Sequence, residues 1–390
     1  MGEKFTFKQD LLDRCHERAA GYDRDNLFFQ EDFEELRDAG YLKCALPTEF
    51  GGHGMNLFEV GQLTRKLAYH APPTALALNM HNYWLGMAAD LKRAGDNSLD
   101  WLFELASKGE ILAAGHSESG NDFPVLFSST KAEKVDGGYK FTGRKSFSSL
   151  TPVWTFLGLH GIDMSDPQAP KIVHGFVPRD SEGITIKETW DVMGMRATRS
   201  DDTLLENVFV PDKYVARVVP AGAAGMDPFV LSLFAWALVN FGNVYCGLAQ
   251  RFHDITVKAL QTKQAITMER PMSHHPTAQY GLAEIVAEMH AMVPQLDSLG
   301  RDWSETNDHG LDYAVRIIAT KYNAVEGAWR VADKALELSG GFGMFKKSEL
   351  ERLYRDCRAG RFHPVNSSLA HELLAKMTLG IDPDSQPRWG

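Results

Sequence analysis

Thr130-Lys-Ala-Glu-Lys-Val-Asp-Gly-Gly-Tyr-Lys-Phe-Thr142 is the stretch that decides the fold. Its two arms, 130–135 and 139–142, alternate around Asp136-Gly-Gly138, and a glycine-rich turn between alternating arms is a β-hairpin. Working outward, further strand-like runs lie at Lys171-Ile-Val-His-Gly-Phe-Val177, Ile184-Thr-Ile186 and Thr203-Leu-Leu-Glu-Asn-Val-Phe-Val210, the last stopped by Pro211. β-Structure is therefore expected only within 111–211, and the chain on both sides has helical spacing, as in Leu11, Leu12, Cys15 and Ala19. Ahead of the strands, a helix over 57–69 ends before Pro72-Pro73. Residues 75–85 are apolar on most sides, so His81 and Asn82 there need buried partners, a neighbouring carbonyl being the favoured one for His81. Beyond Pro211, helices over 229–262, 276–305, 313–339, 348–361 and 366–377 read as an antiparallel bundle. The expected class is α+β in three parts: an N-terminal helical domain over 1–110, a central antiparallel β-barrel or sandwich over 111–213, and a C-terminal four-helix bundle over 214–390.

With 390 residues, 44% hydrophobic and 24% charged, the chain reads as a soluble globular protein able to bury a sizeable ligand. A net charge of -10 argues against nucleic acid and against an anionic membrane surface as partners. Cys15, Cys44, Cys246 and Cys357 are scattered without a C-x-x-C pair, which suits a reducing, cytoplasmic setting and offers no zinc site. Adjacent His274 and His275 would point apart on a helix, so no metal is expected there either. The apolar run 229–239 is broken by polar residues and reads as a buried bundle helix rather than a membrane span. No G-x-G-x-x-G follows a strand, so nothing supports a Rossmann nicotinamide site. Two polar loops, Gly115-His-Ser-Glu-Ser-Gly-Asn-Asp122 and Arg144-Lys-Ser-Phe-Ser-Ser149, offer hydroxyls and backbone N–H groups to a polar ligand. Gly340-Gly-Phe-Gly343, ahead of the Ser348 and Glu351 capping pair, has the form of a phosphate cradle as well as of a plain helix stop.

Six segments, in order, resemble motifs of the acyl-CoA dehydrogenase superfamily. Leu46-Pro-Thr-Glu-Phe-Gly-Gly-His-Gly54 resembles its "P-E-x-x-G-G-x-G" loop, and Ala114-Gly-His-Ser-Glu-Ser-Gly-Asn-Asp122 its "T-E-P-x-A-G-S-D" segment. Gly143-Arg-Lys-Ser-Phe-Ser-Ser149 resembles "G-x-K-x-W-I-T/S", and Met193-Gly-Met-Arg-Ala-Thr198 with Asn207-Val-Phe-Val-Pro211 resembles "G-x-R-x-S" and the "V-x-V-P" strand end. Leu336-Glu-Leu-Ser-Gly-Gly-Phe-Gly343 and Tyr354-Arg-Asp356 are similar to the bundle's "Q-x-x-G-G-x-G" and "R-D" elements. The resemblance implies a flavin between the β-platform and the bundle, with Ser117, Phe147, Ser148 and Ser149 against its ring and Gly340 and Gly341 near the pyrophosphate of FAD. Two departures concern that pyrophosphate. Glu337 replaces the family's glutamine, and Lys263-Gln-Ala-Ile-Thr267 keeps only a basic residue of "R-x-x-F-G"; FAD is expected, with FMN the less favoured form.

The catalytic base departs most. Where many family dehydrogenases carry a glutamate after the R-D element, this chain has Pro364, which cannot take a proton. His363 beside it and Asp254 on the first bundle helix are the candidate replacements. The first expectation is α,β-desaturation of an acyl thioester carried on CoA or a carrier protein, by removal of the α-proton and transfer of the β-hydride to flavin. The alternative is hydroxylation by reduced flavin and oxygen, with His363 working near neutral pH as in the superfamily's monooxygenases. A hydrolase built on Ser117 is a different class, but Gly115-His-Ser-Glu-Ser119 lacks the last glycine of G-x-S-x-G. A flavin-free binding or assembly protein is another. The partners implied are a small acyl thioester or aromatic substrate, an electron-transfer or flavin-reductase protein, and further copies of the chain in a homodimer or homotetramer.

Overall fold

The computed structural model describes residues 4–222, 227–306 and 309–384. Five helices come first: α1 (Gln9–Asp25), α2 (Gln30–Asp38), α3 (Leu57–His70), α4 (Pro72–Arg93) and α5 (Asp100–Ser107). Asn56 and Glu59 form a reciprocal capping box on α3, each side chain taking the other's backbone N–H. Pro72 and Pro73 do more than end α3. They occupy the first turn of α4, where a missing N–H costs nothing.

Eight strands follow: β1 (Leu112–Gly115), β2 (Lys131–Val135), β3 (Gly138–Lys145), β4 (Phe156–Asp163), β5 (Lys171–Pro178), β6 (Ile184–Lys187), β7 (Asp202–Pro211) and β8 (Val215–Pro220). They form one sheet in the order β6-β7-β3-β2-β4-β5-β8, with β1 on β4. The hairpin of β2 and β3 pairs as its sequence requires, Val135 opposite Gly138 and Lys131 opposite Thr142. The sheet is mixed and open, where an antiparallel barrel or sandwich was expected. The reason lies at β4: β1 runs parallel to it from Leu112↔Phe156 to Gly115↔Leu159, and β2 meets it in parallel at Lys131↔Ile162. Both lie opposite β5 and so share one side of β4. The sheet forks there, and β6 and β8 remain edges.

Five helices complete the chain: α6 (Pro228–Thr262), α7 (Pro276–Glu305), α8 (Leu311–Ser339), α9 (Glu349–Arg358) and α10 (Ser367–Leu379). The centre of the molecule is α6, which packs on α3, α4, α7 and α8. It is long and apolar enough to cross a membrane, yet 94% of its most apolar window is buried inside the protein. Contact with α4 is close because position 86 has no side chain; a Cβ on Gly86 would lie 2.2 Å from the Trp236 ring. Asp90 on α4 then accepts the indole N–H of Trp236 at 2.7 Å and of Trp303, from α7, at 2.6 Å, which ties three helices at one buried carboxylate. His81 is satisfied by backbone, with Nε2 on the Leu42 carbonyl at 3.0 Å and Nδ1 accepting from Leu112 N at 3.1 Å.

Candidate functional site

A cavity of about 570 Å³ opens where the end of β1, the loops around 147–149 and 190–200, α4, α6 and the segment after α9 converge. Its polar wall is built by local pairing. Ser146 N donates to the Ser117 carbonyl at 2.9 Å, which brings the loop after β1 beside the loop after β3. Phe147 takes a left-handed backbone (φ 56°), and the chain turns so that Phe147 and Ser149 face the cavity with Ser117. Ser149 Oγ lies 2.8 Å from Ser200 Oγ, and Ser200 Oγ 2.8 Å from Thr198 Oγ1, which donates to the Met195 carbonyl at 2.9 Å. The loop carrying Thr198 and Ser200 is pinned from below: Met195 N donates to the buried Asp356 carboxylate at 2.5 Å. Burial pushes the Asp356 carboxyl up to about 6, with Arg352 opposing. Gly194 lies so close to α9 that a Cβ there would sit 2.1 Å from the Arg355 carbonyl.

The opposite wall is apolar. Leu233, Phe234, Ala237, Leu238 and Phe241 come from one face of α6, and Leu76, Met80 and Tyr83 from one face of α4. Among the described residues, no Asp, Glu, Lys or Arg lines the cavity. This two-sided character fits an isoalloxazine, which has a polar pyrimidine edge for the hydroxyls of Ser117, Ser149, Thr198 and Ser200 and an apolar edge for the helices.

His363 closes the cavity from the end of the 3-10 turn Ala359–Phe362. Its ring stacks on Phe241 at 4.6 Å and 10°, and Nε2 lies 2.6 Å from Tyr245 Oη. Burial, then the nearby Lys321 ammonium, pushes the imidazole down to about 3, which overturns the expectation of a group working near neutral pH. Lys321 donates to the Val365 carbonyl at 2.9 Å and holds the segment in place. Tyr245 is buried, its pKa raised well above the ordinary value by burial, so its hydroxyl is protonated; with His363 its only hydrogen-bond partner among the described residues, it donates to Nε2. The proton of the neutral ring therefore sits on Nδ1, which makes no hydrogen bond to the protein among the described residues.

Four candidates lie elsewhere. The Ser148 side chain is fully buried on the other side of its strand-like segment, with no partner for its hydroxyl, because successive side chains there alternate. Gly340 and Gly341 are exposed in the turn after α8 and do not line the cavity. Asp254 is a surface group, 54% exposed, accepting from Tyr69 Oη at 2.7 Å and bonded to His253 Nδ1 at 2.8 Å. It lies thirteen residues beyond Phe241, about 20 Å along α6 and on a face turned away from the cavity.

The sequence reading missed Tyr83, Tyr245, Trp190, Thr198 and Ser200 in or beside the cavity. It also missed a buried polar file that starts at the cavity wall with His116. The rings of His116 and His160 stack at 5.3 Å and those of His160 and His174 at 5.9 Å. Beside them Lys145 Nζ donates to Glu118 at 2.5 Å and to the His160 carbonyl at 2.6 Å. Burial opposes the charge on Glu118, but Lys145 and the Ser129 and Thr130 donors overcome it and hold the carboxyl at about 2. His174 is pushed down to about 3 by burial and by Lys145. His160 and His174 are directly opposite in the β4–β5 ladder, a cross-strand pairing that neither strand signals in sequence because both are buried almost throughout.

Comparison with known proteins agrees with this architecture. The family models "Acyl-CoA dehydrogenase, N-terminal domain" and "Acyl-CoA dehydrogenase, C-terminal domain" match residues 7–101 and 239–368. The putative acyl-CoA dehydrogenase YdbM of Bacillus subtilis is 27% identical over 377 residues, 94% of each chain. Isobutylamine N-hydroxylase of Streptomyces viridifaciens is 24% identical over 333 residues, 84% of each. The solved structure of KijD3 with FMN and dTDP-3-amino-2,3,6-trideoxy-4-keto-3-methyl-D-glucose superposes with a TM-score of 0.83 at 25% identity, covering 97% of this chain and 93% of that one.

Proposed function

The chain belongs to the acyl-CoA dehydrogenase family, and we propose that within it this flavin-dependent oxidoreductase is a monooxygenase, which hydroxylates its substrate with reduced flavin and dioxygen rather than desaturating an acyl thioester. One observation carries the reading: among the described residues no carboxylate lines the cavity, and its two imidazoles, His363 and His116, are both made poor bases by burial. Desaturation begins with loss of the weakly acidic α-proton. A ring whose conjugate acid titrates at about 3 instead of 6.5 is disfavoured as proton acceptor by on the order of 5 kcal/mol. The carboxylate the sequence offered as substitute, Asp254, is on the surface and bonded to Tyr69 and His253. Relatives that carry out N-hydroxylation share most of the chain's length, which supports the same direction.

Bound in reduced form, a flavin would supply the two electrons with which one oxygen atom of dioxygen enters the substrate and the other leaves as water. The protein's part is positioning and exclusion. Ser117, Ser149, Thr198 and Ser200 would hold the polar edge of the ring, and Trp190 and Phe147, edge to face with each other at 5.7 Å, would cover it. The α4 and α6 side chains keep water from the reacting centre. Tyr245, by donating to Nε2, keeps Nδ1–H of His363 available as a neutral donor. The same reading takes a flavin reductase as electron source and a homodimer or homotetramer as the working state, with exposed Phe342, Met344 and Phe345 beside Gly340 as a surface to be covered. Titration with FMN and FAD identifies the preferred form. Anaerobic addition of saturated acyl-CoA thioesters to the oxidised holoenzyme should leave the flavin oxidised; bleaching would restore desaturation.

A further inference from the structure

Tyr83 has a hydroxyl that the flavin reading leaves without a task. The residue is 2% exposed and lies on α4 in the cavity wall, in line with Met80 and Leu76 one and two turns earlier. Burial alone raises its pKa well above the ordinary value; no hydrogen bond and no charge contributes. The other buried tyrosines near this core are engaged, Tyr245 with His363 at 2.6 Å and Tyr41 with Thr64 at 3.5 Å. A buried phenol hydroxyl normally finds a partner, because leaving it unpaired costs about 1–3 kcal/mol. Here the space in front of it is the cavity, faced by Leu233, Phe234, Ala237, Leu238 and Phe241 and, among the described residues, by no Asp, Glu, Lys or Arg.

We infer that the substrate is a neutral, largely apolar molecule of about two or three fused rings with one hydroxyl or amino group, and that Tyr83 Oη binds that group. The inference rests on the proposed function only in taking this cavity as the substrate site. Two alternatives sit poorly with the walls. A nucleoside diphosphate or coenzyme A would bring phosphate charge against side chains that include no cation, and burying an unpaired charge is expensive. A cavity of about 570 Å³ also has to take the flavin ring, which leaves room for a compact molecule.

The test is equilibrium binding to the flavin-loaded, oxidised protein, by calorimetry together with the flavin difference spectrum, using 1-naphthol, naphthalene and dTDP as probes. The wild type should bind 1-naphthol about tenfold more tightly than naphthalene, the worth of one neutral hydrogen bond, with a change in the flavin spectrum. Tyr83→Phe should bind the two equally, with naphthalene affinity unchanged, and dTDP should neither bind nor perturb the flavin. The inference is overturned if the preference survives in Tyr83→Phe, if binding leaves the flavin spectrum unaltered, if 1-naphthol does not bind below millimolar concentration, or if dTDP binds as well as 1-naphthol. Failure of flavin loading would instead remove the functional reading before any probe is added. Selective binding without oxygen incorporation in turnover would remove the monooxygenase step and leave the substrate class standing.

Discussion

Replacing Tyr245 with Phe removes one oxygen atom from the site and isolates the bond on which the state of His363 depends. The imidazole is held by the stack on Phe241 at 4.6 Å and the ring of Tyr245 at 5.5 Å, both of which the substitution spares, and by the 2.6 Å bond from Tyr245 Oη to Nε2, which it deletes. The ring therefore stays in place, but nothing fixes which nitrogen carries the proton. A lone buried Nε2 favours keeping neither its lone pair nor a proton without a partner, and the net worth of the lost bond is about 1–1.5 kcal/mol. If Nδ1–H is the group that positions the reacting oxygen, that loss converts to roughly a five- to tenfold fall in product formed per dioxygen consumed. The assay is the coupling ratio, product against oxygen uptake, with any accepted substrate and a flavin reductase. Neither His363, at about 3, nor Tyr245, raised by burial, titrates between pH 6 and 8, so any pH dependence in that window belongs to Lys321, whose ammonium burial lowers to about 7. A coupling ratio within twofold of wild type, in a variant with unchanged near-ultraviolet circular dichroism, would refute the assignment of Tyr245 as the group that orients His363.

Three further outcomes are expected. Asp254→Asn should leave turnover within twofold of wild type, because the carboxylate is bonded to Tyr69 and His253 on the surface; abolished turnover in a folded variant would return the base to α6. Gly86→Ala drives a methyl group to 2.2 Å from the Trp236 ring and strains the α4–α6 contact and the Asp90 junction, so chemical denaturation should show a loss of about 1–3 kcal/mol, and an unchanged midpoint would contradict the packing. His174 binds its proton less readily folded than unfolded, so its cost is absent above about pH 6.5 and grows as pH falls toward 3. His174→Phe, with Phe229 alongside at 5.0 Å, should therefore gain about 2 kcal/mol relative to wild type between pH 7.5 and pH 5; a pH-independent difference would show that the ring takes up its proton as readily in the fold as in the unfolded chain.

Local rules carried the reading wherever chemistry and structure are both local. The β2–β3 hairpin follows from Asp136-Gly-Gly138, and the long helices of the C-terminal half follow from their apolar spacing. β4 was not legible as a strand, because it is buried almost throughout and lacks the alternation that marks a strand exposed on one face. The fork at β4 is a long-range pairing with no local signature, so a mixed open sheet could not be distinguished from a barrel. In the site, the loops after β1 and β3 were readable from their hydroxyls, but which neighbour faces inward was not: Ser149 lines the cavity and Ser148 does not. Pro364 marked the chain break that carries His363, whereas Tyr83 and Tyr245 are single polar atoms on otherwise apolar helix faces and look like core aromatics in sequence. The depressed proton affinity of His363 comes from burial and from Lys321, forty-two positions earlier, and no sequence pattern encodes it.

The most direct test of the monooxygenase reading is the fate of isotopically labelled dioxygen. Holoenzyme carrying reduced flavin, mixed with ¹⁸O₂ and a panel of phenols, amines and saturated acyl thioesters, should yield a phenol or amine product containing one ¹⁸O atom, with none from the thioesters. An unlabelled α,β-unsaturated thioester, formed by the oxidised enzyme without oxygen, would contradict the account and restore desaturation.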